Sequence, residues 1–195
     1  MVEKKKFFDI ELPLIGEKIK LSAFELENLD NRNIKMDMSR ALRGKSLEAV
    51  FKVKVKENKA EAHPIKITLL GFFIRRMMRK SVSYVEDSFS AECNDAILRI
   101  KPFLITRKKV TRAVRKALRD EARKYLEEYM KDKNKDDIFS DILNNKLQKS
   151  LSPRLKKIYP LALCEIRRVQ IEKEKEVTSE VKEEKKEEIK AEITE

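Results

Sequence analysis

A change in the spacing of apolar residues constrains the fold of this chain more than any other feature. Residues 47–55, which read LEAVFKVKV, alternate apolar and polar side chains with a period of two, as is typical of a half-buried β-strand. The alternation returns in IKITL at 65–69, so the two segments predict a β-hairpin across the polar residues 56–59. From about Lys108 onward, apolar residues recur every three or four positions, the period of an α-helix. Strands are therefore expected in the first half of the chain and helices in the second.

Weaker patterns of the same kind place further elements in the first half. They predict a strand at 34–38 and a short helix within GFFIRRMMRK at 71–80. They also predict a second hairpin, which joins residues 81–92 to residues 96–105. Pro102 would place the later strand of this hairpin near an edge or an end of the sheet, because proline has no N–H to donate to a neighbouring strand.

In the second half, the helical period predicts a long helix over about 108–130 and another over 136–151, capped by Asp136 or Asp137. Ser152 and Pro153 are typical of the cap and first turn of a further short helix, which would end before residue 160. Residues 161–171 then read as one returning strand.

This order of elements predicts an α+β fold, in which a curved or closed β-barrel of mostly antiparallel strands is flanked by helices. A chain of 195 residues suffices for one domain with a sizeable core, which we place at residues 1–170. Residues 171–195 hold six Lys, ten Glu and few apolar side chains, so we expect a charged, low-complexity tail that is solvated and mobile. Their Glu and Lys spacings leave a helix docked on a partner as the alternative.

The net charge of +12 indicates a polyanionic partner, which is a nucleic acid, an anionic membrane surface or an acidic protein. Because the tail is acidic overall, residues 1–170 carry 40 basic and 24 acidic side chains. The N-terminus lacks the apolar region of a secretory signal, and the longest apolar run, at 67–74, is too short to cross a bilayer. Cys93 and Cys164 have no metal-binding spacing and are expected as reduced thiols. We therefore expect a soluble, cytoplasmic protein without a membrane partner.

The residues that catalysis needs are scarce. His63 is the single histidine and precedes a proline. No Asp or Ser lies at a spacing from it that identifies a catalytic group. With three glycines in the chain, neither the P-loop nor the dinucleotide-binding pattern can be written. Glu86 and Asp87 are neighbours in a predicted strand and would point to opposite faces, which does not suit paired carboxylates. We therefore expect no enzyme, no catalytic residue, no metal and no cofactor.

The long helix carries two stripes. Its apolar stripe consists of Val110, Val114, Leu118, Ala122, Tyr125 and Tyr129. Its cationic stripe consists of Lys108, Arg112, Arg115, Arg119 and Arg123, and Lys116 beside it is also predicted to bind the partner. The apolar stripe is enough to pack the helix on a core, so the cations indicate a second, anionic contact. Lys and Arg repeated along a rigid helix match the regular charge of a phosphate backbone, and binding them releases counterions.

Three further groups of cations accompany the helix, and we predict that they bind the same partner. They are Arg75, Arg76, Arg79 and Lys80; Arg99, Lys101, Arg107 and Lys109; and Arg154, Lys156, Lys157, Arg167 and Arg168. Four cationic groups on one small domain favour folded RNA, contacted through its backbone and shape, while the aromatic residues are expected mainly in the core. Each group could instead be a solvated face balanced by nearby acids, but residues 99–118 contain no Asp or Glu.

Two long segments resemble a known family. They are RIKPFLITRKKVTRAVRKALRDEA at 99–122 and DIFSDILNNKLQKSLSPRLKKIYPLALCEIRRVQI at 137–171. Together they are similar to the S3Ae family of small-subunit ribosomal proteins, the eukaryotic-type S-one proteins, in its archaeal form. The most specific part is KLQKSLSPRLKKIYPL, which leads into the strand that contains Arg167 and Arg168. The resemblance covers roughly residues 28–171.

The resemblance implies a β-barrel flanked by helices that lies on the platform of the small subunit near the mRNA exit. It implies small-subunit rRNA and neighbouring ribosomal proteins as partners, with mRNA near the exit as a further one, and no homo-oligomer. The favoured hypothesis is thus a structural rRNA-binding protein. Its arginines at 112, 115 and 119 are expected to lie off the apolar stripe and to face RNA. Two alternatives stay open: a basic adaptor for acidic proteins, and an enzyme that acts on RNA.

Overall fold

A computed structural model describes residues 4–39, 42, 45–56 and 59–175 of the chain. These residues form nine β-strands, four α-helices and a short 3₁₀ turn at Glu27–Leu29. The strands are β1 (Lys6–Leu12), β2 (Glu17–Ala23), β3 (Asn33–Asp37), β4 (Leu47–Lys56), β5 (Lys59–Leu69), β6 (Tyr84–Glu86), β7 (Phe89–Glu92), β8 (Ala96–Thr106) and β9 (Leu161–Glu174). The helices are α1 (Gly71–Met77), α2 (Arg112–Lys131), α3 (Lys135–Leu143) and α4 (Lys146–Lys156).

All nine strands belong to one sheet that branches at β5. On one side, β5 pairs with β4 along its length, and β4 pairs in turn with β3. On its other side, β5 first pairs in parallel with β1 at Ala60 and Glu61 and then antiparallel with β9 at 66–68. One branch therefore continues through β1 to β2, and the other through β9 and β8 to the short strands β6 and β7.

The predicted α+β class and the two predicted hairpins, β4–β5 and the one ending in β8, are confirmed, but the closed barrel is wrong. Among the described residues, no strand pairing joins the β2 end of the sheet to the β6 end. The physical reason is the division of the β5 edge between two partners. Because β1 and β9 each take only part of that edge, their branches diverge, and the sheet stays open.

Two prolines lie where strands change partners. Pro64 sits at the irregularity of the β4–β5 register, between the residues of β5 that pair with β1 and those that pair with β9. Pro102 sits at a register shift between β8 and β9, and between the parts of β8 that pair with β6 and with β7. The prediction that Pro102 lies near an edge of the sheet fits this position, since β8 is next to the terminal strands and Pro102 is paired with neither β6 nor β7. The residue left unpaired at the first shift is Ile65, which follows Pro64, and at the second it is Arg167, across from Pro102 on β9.

The helices α2, α3 and α4 pack on the sheet through apolar faces. The face of α2 buries Leu118, Ala122, Leu126 and Met130 over β6 and β7. The helix α3 lies against β5, while α4 lies against β9 and α2. The largest fully buried side chains of the resulting core are the phenylalanines at 51, 103 and 139.

The predicted helix boundaries need several corrections. The long helix begins at Arg112 and not near Lys108, so Val110 and the lysines at 108 and 109 lie in the loop before it. The helix expected over 136–151 is interrupted, because Asn145 has a φ of 59°, a left-handed conformation that asparagine tolerates better than most residues. Its first part is preceded by Asn134 as the cap residue, so Asp136 and Asp137 lie within the first turn. No new helix begins at Ser152 and Pro153, because α4 runs through them while its buried leucines continue on one face.

The ends of the chain also differ from the prediction. The hairpin of β1 and β2 was not predicted, and its turn contains Gly16 with a φ of 75°. The strand β9 continues past residue 170 to Glu174, which pairs with Ala96 of β8. The rest of the predicted tail, residues 176–195, lies outside the described residues.

A buried carboxylate connects α2 to α3. The Nζ of Lys133 donates hydrogen bonds to the Oη of Tyr129 at 2.7 Å and to Oδ2 of Asp141 at 2.5 Å, and the Tyr129 hydroxyl donates to the same Asp141 oxygen at 2.8 Å. Burial alone would raise the pKa of Asp141, but the hydrogen bonds from Lys133 and Tyr129 lower it below its usual range. The charged form of Asp141 therefore stabilises the contact between the two helices.

Replacing this carboxylate tests that contribution. We expect Asp141→Asn to lower the free energy of unfolding by about 1–2 kcal/mol at pH 7, because the charge-assisted hydrogen bonds are lost. Since the folded pKa of Asp141 is depressed, its contribution is present above the unfolded pKa of about 4 and is lost at lower pH. Urea unfolding at several pH values should show the wild type and the variant converging below about pH 4.

Asp120→Asn is the matched control, because Asp120 is exposed on α2 and makes no hydrogen bond or ion pair with the described residues. It should leave the unfolding free energy nearly unchanged. A destabilisation by Asp141→Asn that is equally large at pH 3 and at pH 7 would contradict the electrostatic explanation.

Candidate nucleic-acid interface

Three loops meet at one end of the sheet. They are residues 78–83 after α1, residues 107–111 between β8 and α2, and residues 157–160 between α4 and β9. The Thr106 hydroxyl donates to the Ser83 carbonyl at 2.9 Å, and the Val110 N–H donates to the Ser83 hydroxyl at 3.2 Å. The Arg107 N–H donates to the Pro160 carbonyl at 3.3 Å. These bonds fix the three loops to one another.

The loop after β8 and the first half of α2 are rich in cations and free of acids. Residues 107–119 contain seven Lys and Arg and no Asp or Glu. Arg112, Lys116 and Arg119 are exposed and share one face of α2, since they are spaced by four and three residues. None of the three forms an ion pair with a described residue. Their charges are therefore free to meet an external anion.

Arg115 differs from its neighbours. It is half-buried, and its Nε is shielded from solvent without a hydrogen-bond partner among the described residues. The prediction that the arginines at 112, 115 and 119 lie alike off the apolar stripe therefore fits two of them, and Arg115 lies at the boundary of the buried face.

Three arginines from different elements line one cavity. Arg76 of α1, Arg79 and Arg107 border a space of about 440 Å³ between the loops. The guanidinium of Arg76 lies 5.4 Å from the ring centre of Phe73, which is buried. The arginines of this cavity and the exposed cations that follow β8 form one surface, which we call the basic end: Arg76, Arg79, Arg107, Lys108, Lys109, Arg112, Lys116 and Arg119.

Four other residues predicted to bind RNA are paired within the protein. The ion pairs are Arg99 with Glu172 at 2.5 Å, Arg123 with Glu127 at 2.8 Å, Arg154 with Glu121 at 2.6 Å, and Arg167 with Glu86 at 2.8 Å. Two of these arginines also cover aromatic rings, and the hydrogen bond with Glu121 raises the pKa of Arg154. These arginines hold elements together, so less of their charge is available to a partner.

The remaining predicted residues are not among those that define the basic end, although Lys80 and Lys157 belong to two of the loops that meet there. Arg75, Lys80, Lys156 and Lys157 are exposed on α1, α4 and the loops that follow them. Lys101 and Arg168 lie opposite each other on β8 and β9 and are half-buried. None of the six forms an ion pair with a described residue, so they are further candidates for contact with an anion.

Sequence reasoning missed the exposed aromatic residues of this region. Phe72 on α1 is 50% exposed and Tyr84 on β6 is 53% exposed, although aromatic residues were expected mainly in the core. Tyr84 pairs with Ile105, which lines the arginine cavity. The alternation with buried Val85 was the available signal, because it turns Tyr84 away from the side that Val85 faces.

The reactive side chains of the structure are shielded or isolated. Burial raises the pKa of the Cys164 thiol to about 12, and the neighbouring Glu165 carboxylate adds to this. Cys93 is a buried free thiol that donates to the Ala96 carbonyl at 2.9 Å. In the part of the chain that the structure describes, no three His, Cys, Asp or Glu residues are grouped as metal ligands, and no helix is long and apolar enough to cross a membrane.

The family model of the Ribosomal S3Ae family matches residues 1–175 of the chain. The chain belongs to the Ribosomal S3Ae family. It is thus a small-subunit ribosomal protein, a structural component of a ribonucleoprotein without enzymatic activity, and its place is the ribosome in the cytoplasm. The match extends over the N-terminal hairpin, which lies before the segments that showed the resemblance. No curated protein matches the chain.

Substitutions in α2 offer a direct test of the basic end. We expect the triple variant Arg112→Gln, Lys116→Gln and Arg119→Gln to keep its unfolding free energy, because these side chains are exposed and unpaired. For binding to small-subunit rRNA, the slope of log affinity against log salt should become shallower by about two to three units. Filter binding at several salt concentrations measures that slope.

A control variant removes the same charge elsewhere. Lys6, Lys20 and Lys173 are exposed on β1, β2 and β9 and are unpaired among the described residues, and changing all three to Gln removes three positive charges. We expect the salt slope of this control to change by less than about one unit. Equal losses in the two variants would show that net charge, and not the basic end, determines the affinity.

Proposed function

We propose that the protein binds small-subunit rRNA through the basic end and occupies the platform near the mRNA exit. The observation that carries this proposal is the acid-free run of seven cations at 107–119, held on a rigid helix and on loops tied together by hydrogen bonds. A fixed array of cations binds phosphate at a lower entropic cost than mobile side chains do. Membership of the S3Ae family supports rRNA and neighbouring ribosomal proteins as the partners.

The two halves of α2 differ in whether their cations are paired with carboxylates. The C-terminal half carries Glu121, Glu127 and Glu128, whose carboxylates pair with arginines of the protein itself. The N-terminal half, up to Arg119, has no carboxylate to compete with phosphate for its cations. In this proposal the second half anchors the helix on the sheet and on α4, and the first half contacts rRNA.

The same proposal covers the copy number of the protein and its contact with mRNA. The protein enters the subunit as a single copy, and mRNA that leaves through the exit passes near it. Recognition is through the phosphate backbone and the shape of the rRNA, since arginines and lysines dominate the basic end.

Sedimentation through a sucrose gradient tests the proposal. At moderate salt with magnesium, we expect tagged protein from a native extract to comigrate with the small subunit. It should stay bound through a salt wash and should no longer sediment with the subunit after RNase treatment. The variant of Arg112, Lys116 and Arg119 should dissociate at lower salt than the control variant of three lysines. Sedimentation as a small complex that RNase does not change would contradict the proposal and favour the acidic-protein adaptor.

The location on the subunit needs its own measurement. Ultraviolet crosslinking of assembled small subunits, followed by sequencing of the rRNA attached to the protein, should identify platform rRNA next to the mRNA exit. Crosslinks confined to other regions of the subunit would contradict the proposed location while leaving rRNA binding intact.

A further inference from the structure

We propose that the cavity lined by Arg76, Arg79 and Arg107 binds one unpaired nucleotide of RNA. The arginines contact its phosphate groups, and its base lies against Tyr84 and the apolar wall of the cavity. This inference rests on the proposed binding of rRNA, and it assigns a ligand to one site within the basic end.

The size and the walls of the cavity suit a small, partly apolar ligand. Its volume of about 440 Å³ lies within the range of about 300–1,000 Å³ that is typical of small-molecule sites. Ile105 of β8 and Leu163 of β9 pair directly, and both line the cavity, as do Val82 and Ala162. These side chains give one apolar wall that a base can cover.

The cationic rim suits phosphate. The side chains of Arg76, Arg79 and Arg107 form no ion pair with described residues. A guanidinium group can bind a phosphate group through two parallel hydrogen bonds. The cation–π contact with Phe73 helps to orient Arg76, and the backbone hydrogen bond to Pro160 fixes the chain at Arg107. Three cations that converge from separate elements can therefore contact phosphate groups on both sides of one nucleotide.

The residues that line this cavity include no carboxylate. Four other surface cavities of the described chain each include at least one Asp or Glu, for example Glu127 in one and Glu165 in another. A carboxylate would repel phosphate and would also neutralise the arginines. Because this cavity has three arginines and no carboxylate, its charge attracts phosphate.

Tyr84 supplies the contact with the base. It lies directly opposite Ile105 in the pairing of β6 with β8, so the two side chains share one face of the sheet. The Tyr84 side chain is 53% exposed next to a wall that is already apolar. Stacking on an aromatic ring tolerates any base, but it requires that the base be unpaired, which excludes a nucleotide within a duplex.

Two RNAs distinguish this site from general affinity for phosphate. One is a hairpin with a single bulged nucleotide, and the other is the same hairpin without the bulge. We expect the full chain to bind the bulged RNA about tenfold more tightly, which is the size of one stacking contact. Fluorescence anisotropy at fixed salt measures both affinities.

Substitutions at Tyr84 isolate the stacking contact. Tyr84→Leu should reduce the preference for the bulged RNA to about equal binding, and Tyr84→Phe should keep it, because only the aromatic ring is required. Neither substitution changes the charge, so affinity for the hairpin without a bulge should stay the same. Both variants should fold, since the side chain is more than half exposed, and circular dichroism verifies this.

A substitution at the rim isolates the phosphate contact. Arg79→Lys keeps the charge but loses the planar, paired geometry, so we expect a several-fold loss of the preference without a change in salt slope. Arg32→Lys, at an exposed arginine before β3 that does not line the cavity, is the matched control and should have no effect on the preference.

The outcomes separate this inference from the proposed function. Equal binding of both RNAs by the wild type, or a preference that survives Tyr84→Leu, would overturn the cavity assignment and leave rRNA binding in place. Binding of neither RNA would overturn the proposed function itself. Displacement of the bulged RNA by micromolar adenosine monophosphate would show that the cavity serves free nucleotides, and this too would overturn the assignment to RNA.

Discussion

The antiparallel pairing of β8 with β9 is the contact on which the rest of the structure depends. It joins Ala96–Thr106 to Leu161–Glu174, on either side of the segment that contains α2, α3 and α4. Its buried residues, among them Phe103, Leu104 and Val169, supply much of the core that the helices cover. Because the pairing begins at Thr106 and Leu161, the loop that precedes α2 and the loop that follows α4 are neighbours. The basic end therefore follows from strand pairing and not from the sequence of α2 alone.

The placement of acids decides which cations the protein offers to a partner. Where a strand or helix brings an arginine next to a glutamate, as at Arg99 and Glu172 or Arg167 and Glu86, the charge links parts of the protein. Where the acids are missing, from 107 to 119, the same residue types stay unpaired, and all of them except the half-buried Arg115 are exposed. One excess of positive charge thus serves both folding and binding, and the difference lies in what the fold places beside each side chain.

The strands and helices whose apolar residues recur at a clear spacing could be predicted from the sequence. The alternation of β4 and β5 and the two-sided pattern of α2 each reflect burial of one face, and the structure confirms them. The N-terminal hairpin was missed because only Ile10 and Leu12 of β1 are buried among charged neighbours. The break between α3 and α4 depends on the conformation of one residue, Asn145, which no period reveals.

Closure of the sheet could not be predicted, because it depends on how β1 and β9 share the edge of β5. For the candidate site, the acid-free run was visible in the sequence. The ion pair of Arg154 with Glu121 was not, since its partners are 33 positions apart and meet only when α4 packs on α2. The arginine cavity is equally hidden, because it requires three loops to converge.

The reactivity of lysines in assembled small subunits, compared with the free protein, tests the central claim most directly. Brief acetylation followed by mass spectrometry reports each lysine separately. The account predicts that Lys108, Lys109 and Lys116 become strongly protected on assembly, while Lys6 and Lys20, exposed on the N-terminal hairpin, stay more reactive. Full reactivity of all three basic-end lysines in the intact subunit would contradict the claim that this surface faces rRNA.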